Sequence, residues 1–149
     1  GVDPQRGGTH KMTSDDFFKS NTKYFDVIFV DGLHSYDQCS NDCINSMKFL
    51  NEDGIIIFHD MLPRSDIEEK QDMSGDVWKV AFEISKINDS KFVIANIDQG
   101  VGILKINKNS RYSRIPNINE KKFSDYINHF KKDLPIVNCQ EALDFINNK

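Results

Sequence analysis

The first clear pattern in the chain is a short, nearly continuous apolar run over residues 24–30. Such a run of β-forming residues predicts a strand that is covered on both faces, as in a parallel sheet. Asp31-Gly32 ends the run, and Ser35 stands where it can cap a following helix. A helix is predicted there because apolar residues recur with a period of about 3.6: Tyr36, Cys39, Cys43, Met47 and Leu50, with Ile44 alongside.

A second apolar run at residues 54–58 follows turn-forming residues at 51–54 and is stopped by His59-Asp60. Two strands joined by a helix within about 35 residues make a βαβ unit, with parallel strands and a right-handed crossover. Residues 61–74 are polar and predict a long loop, a kind of segment that often serves function. Ser74 is then expected to cap a helix over residues 76–87.

Two further apolar runs, residues 91–97 and 101–106, are separated only by Asp98-Gln99-Gly100. So short a connection cannot cross over a sheet, and the two runs are predicted to pair as an antiparallel hairpin. A parallel unit followed by a hairpin predicts an α/β fold whose mostly parallel sheet has an antiparallel C-terminal part.

The two ends of the chain add helices to this sheet. Apolar periodicity predicts an amphipathic helix over residues 121–132 and a final short helix over 140–147. Near the start, residues 9–12 are a candidate short strand, and Thr13 or Ser14 is expected to cap the helix that follows it.

Composition narrows the class of protein. The 149 residues suit one compact domain, and 11 Phe residues supply much of its core. A net charge of −4 with scattered Lys residues argues against nucleic acid as a partner. Cys39 and Cys43 share a helix face, where buried core thiols are expected rather than a metal-binding pair. With Cys139 they make an odd, sparse set of three cysteines, which does not suggest a disulfide framework. The sparse cysteines fit a reducing cytoplasm, which is the expected location. No stretch has the length of a membrane span or the pattern of a signal peptide.

Polar residues capable of chemistry follow both strands of the βαβ unit. Asp31 and His34 come after the first strand, and His59 and Asp60 come after the second. Ligands of open parallel sheets bind beyond the carboxyl ends of the strands, so these four groups are predicted to share one crevice. The alternative is that Asp31 and Asp60 only cap the segments that follow them.

The same stretches resemble a known family. Residues 25–36 (FDVIFVDGLHSY) resemble the fourth-strand motif of class I S-adenosylmethionine-dependent methyltransferases. The subgroup they are most similar to is the methyltransferase domain 24-like one, with its Asp-Gly-x-His-Ser-Tyr and His-Asp signatures. Residues 50–60 resemble its fifth strand, with Asn-Glu-Asp in place of the usual Lys-Pro-Gly in the turn. The resemblance extends to residues 74–79 and 98–104 and covers about residues 1–107.

This resemblance implies a Rossmann-like three-layer sandwich and assigns cofactor contacts. Asp3 would accept hydrogen bonds from the ribose hydroxyls of S-adenosyl-L-methionine, and an ordinary turn before Pro4 is the alternative. Ser14 and Asp15 fall where the family contacts adenine, although Ser-Asp is also a routine helix start. Asp31 would orient the cofactor.

The resemblance also implies what the sequence lacks. The family's first strand and its glycine-rich loop have no counterpart here, so a fragment or a truncated product with weak or no cofactor binding is expected. The sheet would then have an exposed edge, through which copies could form a homo-oligomer. Residues 1–107 are taken as a partial methyltransferase domain and residues 108–149 as a helical extension packed on it.

The expected chemistry is methyl transfer to a hydroxyl of a small molecule or sugar. His34 and His59 are candidate bases because imidazole titrates near neutral pH. Asp31, His59 and Asp60 could hold Mg²⁺, as related enzymes hold a cation at these strand ends. A catalytically silent methyltransferase-like module for binding or assembly is the alternative. Another doubly wound enzyme, such as a nucleotide-sugar enzyme, would not predict the hairpin.

Overall fold

Five strands form one sheet in this computed structural model, which describes residues 1–148. The strands are β1 (Phe25–Val30), β2 (Leu50–Phe58), β3 (Ser90–Ala95), β4 (Val101–Ile106) and β5 (Ile136–Val137). Their order across the sheet is β1-β2-β4-β3-β5. β1 is parallel to β2 and β3 is parallel to β5, whereas β4 is antiparallel to both of its neighbours. The α/β class, the mostly parallel sheet and its antiparallel C-terminal hairpin are therefore confirmed.

Helices surround this sheet. The α-helices are α1 (Ser14–Ser20), α2 (Tyr36–Lys48), α3 (Trp78–Ile84), α4 (Phe123–Asp125) and α5 (Cys139–Asn147). Thr13 caps α1 by accepting from the Asp16 backbone N–H, and Ser35 caps α2 by accepting from that of Gln38. Within the part of the chain that the structure describes, no helix is long and apolar enough to cross a membrane.

The βαβ unit matches its prediction except at the start of β2. That strand begins at Leu50 rather than at residue 54. Phe25 pairs with Leu50 but Val27 pairs with Ile55, so extra residues bulge out of β2 between these pairs. Asp53 lies there in the left-handed region, at φ 65°. The expected turn thus forms inside the strand as a bulge instead of before it.

Two other predictions of local structure were wrong. Ser74 does not cap α3, because α3 begins four residues later and the Ser74 hydroxyl is buried without a hydrogen-bond partner. Residues 9–12 form no strand, only an isolated bridge between His10 and Val2.

The region predicted as one helix over residues 121–132 is irregular. It is divided into α4, a π-helical segment (Tyr126–Phe130) and a 3-10 turn (Lys131–Asp133). The physical reason is aromatic packing, since the rings of Tyr126 and Phe130 both lie against Trp78, with centroids 5.0 and 5.4 Å away. Tertiary contacts of this size override the regular helical period.

The two faces of the sheet are covered unequally. α2, α3 and parts of the C-terminal region cover one face and bury Trp78, Ile56 and Tyr126 in a shared core. α5 covers β3 and β4 on the other face through Ala142. On the same face Val27 and Phe29 of β1 are 55% and 57% exposed. β1 is also a terminal strand of the sheet, and no strand within residues 1–148 pairs with its outer edge. The domain boundary at residue 107 stays a prediction.

The burial of the thiols gives a simple test of this fold. Cys39 and Cys43 are 4% and 0% exposed, and burial raises the pKa of both thiols, whereas Cys139 is exposed. A thiol-specific reagent such as dithiobis-nitrobenzoate should therefore label one cysteine per folded chain rapidly, and all three in denaturant. Rapid labelling of a second thiol under native conditions would contradict this packing of α2.

Candidate active site

The carboxyl ends of β1 and β2 bring four chemical groups together. Val30 pairs with Phe58 at the last position of the parallel register, and the His59 backbone N–H donates to the Val30 carbonyl at 3.1 Å. The residues that follow these strands therefore leave the sheet side by side, as the sequence predicted. They are Asp31, His34, His59 and Asp60, and all of them line one open crevice.

One carboxylate oxygen lies at the centre of this group. Asp60 Oδ2 is 3.2 Å from His34 Nε2 and 3.1 Å from His59 Nδ1. Asp31 Oδ1 lies 3.7 Å and 3.6 Å from the same two ring nitrogens. Asp60 is only 5% exposed and its backbone is in the left-handed region at φ 63°, a strained conformation that aspartate tolerates better than most residues.

The outer nitrogen of each imidazole is bound elsewhere. His34 Nδ1 contacts the backbone carbonyl of Met73, and His59 Nε2 lies 3.2 Å from Asp98 Oδ2. A carbonyl and a carboxylate only accept hydrogen bonds, so these outer nitrogens carry the protons. In the neutral rings the inner nitrogens then point lone pairs at Asp60 and Asp31. This arrangement is favourable only with a proton or another cation between the acceptors.

The pKa of His59 reflects these surroundings. Burial by itself lowers its pKa. The hydrogen bond and the charge of Asp60, followed by the hydrogen bond of Asp98 and the charge of Asp31, outweigh burial and raise the pKa above its ordinary value. His59 therefore takes up a proton more readily than a free imidazole does.

The walls of the crevice come from two segments after β2. Met73 and Ser74 of the polar loop form one wall, and Gln99 of the β3–β4 turn forms another. The loop is tied to that turn at its start, because the Met61 N–H donates to the Gly100 carbonyl at 3.1 Å and the Leu62 N–H donates to the Gln99 carbonyl. The predicted long loop thus stays close to the strand ends.

Ser14 and Asp15 lie beside this crevice. The amide of Gln38 donates to Ser14 Oγ at 3.2 Å, to Asp15 Oδ1 at 3.5 Å and to Asp42 Oδ1 at 3.2 Å. Asp42 lines the crevice together with Asp31, and burial raises its pKa. Gln38 therefore connects α1 to the part of α2 that faces the site.

Asp3 lies in a local turn. Its Oδ1 accepts from the backbone N–H groups of Arg6 and Gln5, both at 2.6 Å, and these bonds lower its pKa. Within residues 1–148, no hydrogen bond joins Asp3 to the strand-end residues. This geometry fits the turn alternative, and a contact between Asp3 and a ribose stays a prediction.

Sequence reasoning missed Asp98, Met73 and Gln38. A signal for Asp98 was present, because it follows the end of β3, and β3 points in the same direction as β1 and β2. The contacts of Met73 and Gln38 depend on the path of the loop and on the packing of α1, which no local pattern encodes.

Comparison with known proteins gives a family match for the part of the chain that contains the strand-end residues. Residues 4–61 match the family model described as a methyltransferase domain. The match runs from before α1 to just beyond Asp60 and so includes all four strand-end residues. A search of the curated proteins gives no match. The chain is thus similar to a methyltransferase domain over residues 4–61, and its sheet is consistent with a Rossmann-like methyltransferase fold.

Proposed function

We propose that the protein transfers a methyl group from S-adenosyl-L-methionine to a hydroxyl of a small molecule or sugar. The observation that carries this proposal is the convergence of two carboxylates and two imidazoles at the strand ends of a domain that matches the methyltransferase model. Such strand ends are where open α/β sheets bind their ligands.

The reaction needs a base and an aligned acceptor. The acceptor oxygen forms a bond to the methyl carbon as the carbon–sulfur bond breaks, the sulfonium becomes a neutral thioether, and the hydroxyl proton must leave. His34 and His59 are the proposed bases, with side chains 29% and 22% exposed. Asp31, at 42% exposure, is open enough to contact the cofactor.

Several residues are candidates for holding the cofactor. Ser14 and Asp15, already linked through Gln38 to the crevice, would meet the adenine, and Asp3 would meet the ribose. The carboxylates of Asp31 and Asp60 would hold Mg²⁺, with His59 as the third ligand that the sequence suggested. In the structure it is His34 whose ligand atom lies within 4.8 Å of those of both carboxylates. A bound cation would supply a Lewis acid that lowers the pKa of the acceptor hydroxyl.

A catalytically silent binding or assembly module is the second candidate. The observation that favours it is the outer edge of β1, with which no strand of residues 1–148 pairs, beside the exposed side chains of Val27 and Phe29. An edge strand with an apolar face favours association.

Calorimetric titration with S-adenosylhomocysteine tests the leading proposal. In the longest natural form of the protein that contains this sequence, we expect saturable binding that Asp31→Ala weakens at least tenfold, about 1.4 kcal/mol. Asp133→Ala removes an exposed acid from a C-terminal turn and serves as the matched control. A protein that shows no saturable binding is not a methyltransferase of this kind, and self-association without binding would support the silent module instead.

A further inference from the structure

The segment just before α3 lies against the turn that carries His34. The Met73 carbonyl contacts His34 Nδ1, and a Cβ on Gly75 would overlap the His34 carbonyl. The carboxylate of Asp76 comes next, and its Oδ1 accepts from the Tyr36 backbone N–H at 2.6 Å. This segment therefore contacts both the ring of His34 and the backbone that carries the ring.

The contact made by Asp76 caps a helix from outside that helix. Tyr36 is the first residue of α2, and the first N–H groups of a helix have no partners within it. Ser35, the cap residue of α2, accepts from the N–H of Gln38 and leaves that of Tyr36 free for another acceptor. A carboxylate at this end is also favoured by the helix dipole. Asp76 thus holds the start of α2 at a position two residues after His34.

A buried lysine holds this carboxylate in place. Lys79 Nζ donates to Asp76 Oδ2 at 2.8 Å and to the Asn119 carbonyl at 3.0 Å, and the lysine side chain is 4% exposed. A buried ammonium is costly unless acceptors surround it, so each partner stabilises the lysine in this position. Asn119 belongs to a 3-10 turn (Ile118–Glu120) in the C-terminal region. Through Lys79, the C-terminal region therefore supports the turn that carries His34.

We propose that Asp76 is a positioning residue for His34 and that Lys79, held by the Asn119 carbonyl, fixes Asp76 in turn. The two oxygens of Asp76 have separate partners, since Oδ1 binds the start of α2 and Oδ2 binds the lysine. Loss of either contact should let the turn between β1 and α2 move, and His34 lies on that turn. A role in methyl transfer rests on the proposed function, whereas the placement of the ring does not depend on it.

NMR of the ligand-free protein tests the role of Asp76. In Asp76→Ala the Tyr36 amide should exchange with solvent at least about tenfold faster, because a hydrogen bond to a charged acceptor contributes more than that factor. The signals of the His34 ring should move in the same variant. Asp76→Asn keeps an acceptor of the same shape, so Tyr36 should stay protected and the His34 signals should move less. Lower stability of Asp76→Ala with unmoved His34 signals would overturn the proposal, because the role of Asp76 would then be structural only.

The role of Lys79 is tested at a residue that it does not contact. Lys79→Met keeps a buried apolar stem and removes the ammonium, so Asp76 loses its anchor and the His34 signals should move. Within residues 1–148, the hydrogen bonds of Lys79 Nζ go to Asp76 and Asn119 alone. In the double variant Asp76→Ala/Lys79→Met the signals should move no further than in Asp76→Ala, because the lysine acts through the carboxylate. Unmoved signals in Lys79→Met, or additive movements in the double variant, would overturn the role of the lysine.

Asp72→Ala is the matched control for Asp76→Ala. Asp72 is an exposed acid of the same loop, so its loss should leave the Tyr36 amide and the His34 signals as they are. Circular dichroism and urea unfolding of each variant check that the fold is retained. These readouts need no cofactor, so a wild-type protein that fails to bind S-adenosylhomocysteine would remove the proposed function alone.

Discussion

Replacing Glu83 with alanine is expected to destabilise the protein by about 3–5 kcal/mol, because each buried donor left without an acceptor costs about 1–3 kcal/mol and such losses are not fully additive. Glu83 lies on α3 and is 1% exposed. Its carboxylate accepts from the Tyr36 hydroxyl at 2.9 Å, from the Ile115 N–H at 2.6 Å and from the Tyr112 hydroxyl. These bonds connect α2, α3 and the segment after β4, so their loss loosens three parts of the core at once.

Glutamine at the same position provides the matched control. Its carbonyl oxygen can still accept from Tyr36 and Ile115, and the Tyr112 hydroxyl can turn to donate to Ser40 Oγ, which lies 3.1 Å away. Glu83→Gln should therefore lose well under half of the free energy that Glu83→Ala loses in urea unfolding. Equal losses in the two variants, or a loss below about 1 kcal/mol for alanine, would show that the bonds contribute little.

The parts of the fold that the sequence predicted are those encoded by local periodicity. The β1–α2–β2 unit and the β3–β4 hairpin each follow from runs of apolar residues and the polar residues that end them, such as Asp31-Gly32 after β1 and Asp98-Gln99-Gly100 between β3 and β4. Parallel pairing of β1 and β2 then places Asp31 and Asp60 together without any knowledge of the packing.

The missed features depend on contacts between distant segments. The irregular helix after residue 121 is shaped by the ring of Trp78, and β5 adds only two residues to the sheet beside Ile94 and Ala95. Ser74 has the residue type of a helix cap, but the path of the loop buries its hydroxyl instead. Local patterns carry no information about such paths.

The candidate site likewise contains residues that local patterns predict and residues whose positions depend on contacts between distant segments. Its four central residues could be predicted because each lies within four positions of a strand end, whereas the partners that orient them could not. Met73 and Asp98 each lie 39 positions from the histidine they contact. The difference matters for chemistry, because these partners decide which ring nitrogen of each histidine faces the crevice.

The loop that supplies Met73 depends on a residue without a side chain, and Gly75→Ala is expected to destabilise the protein by about 2–4 kcal/mol. Gly75 is buried and has φ +63°, and a Cβ there would overlap the backbone carbonyl of His34. Because backbone atoms cannot turn aside, the loop must shift and carry the Met73 carbonyl away from the His34 ring. Urea unfolding measures the loss, and the NMR signals of the His34 ring report the shift.

Gly7→Ala separates this clash from the ordinary cost of a left-handed alanine. Gly7 also has a positive φ, +74°, but its missing Cβ would meet nothing within 4 Å. Its substitution should therefore cost only the conformational penalty, about 1 kcal/mol, and leave the His34 signals in place. Equal losses at the two glycines would mean that the loop yields without strain, and the Met73 carbonyl would then not be what holds His34 in its orientation.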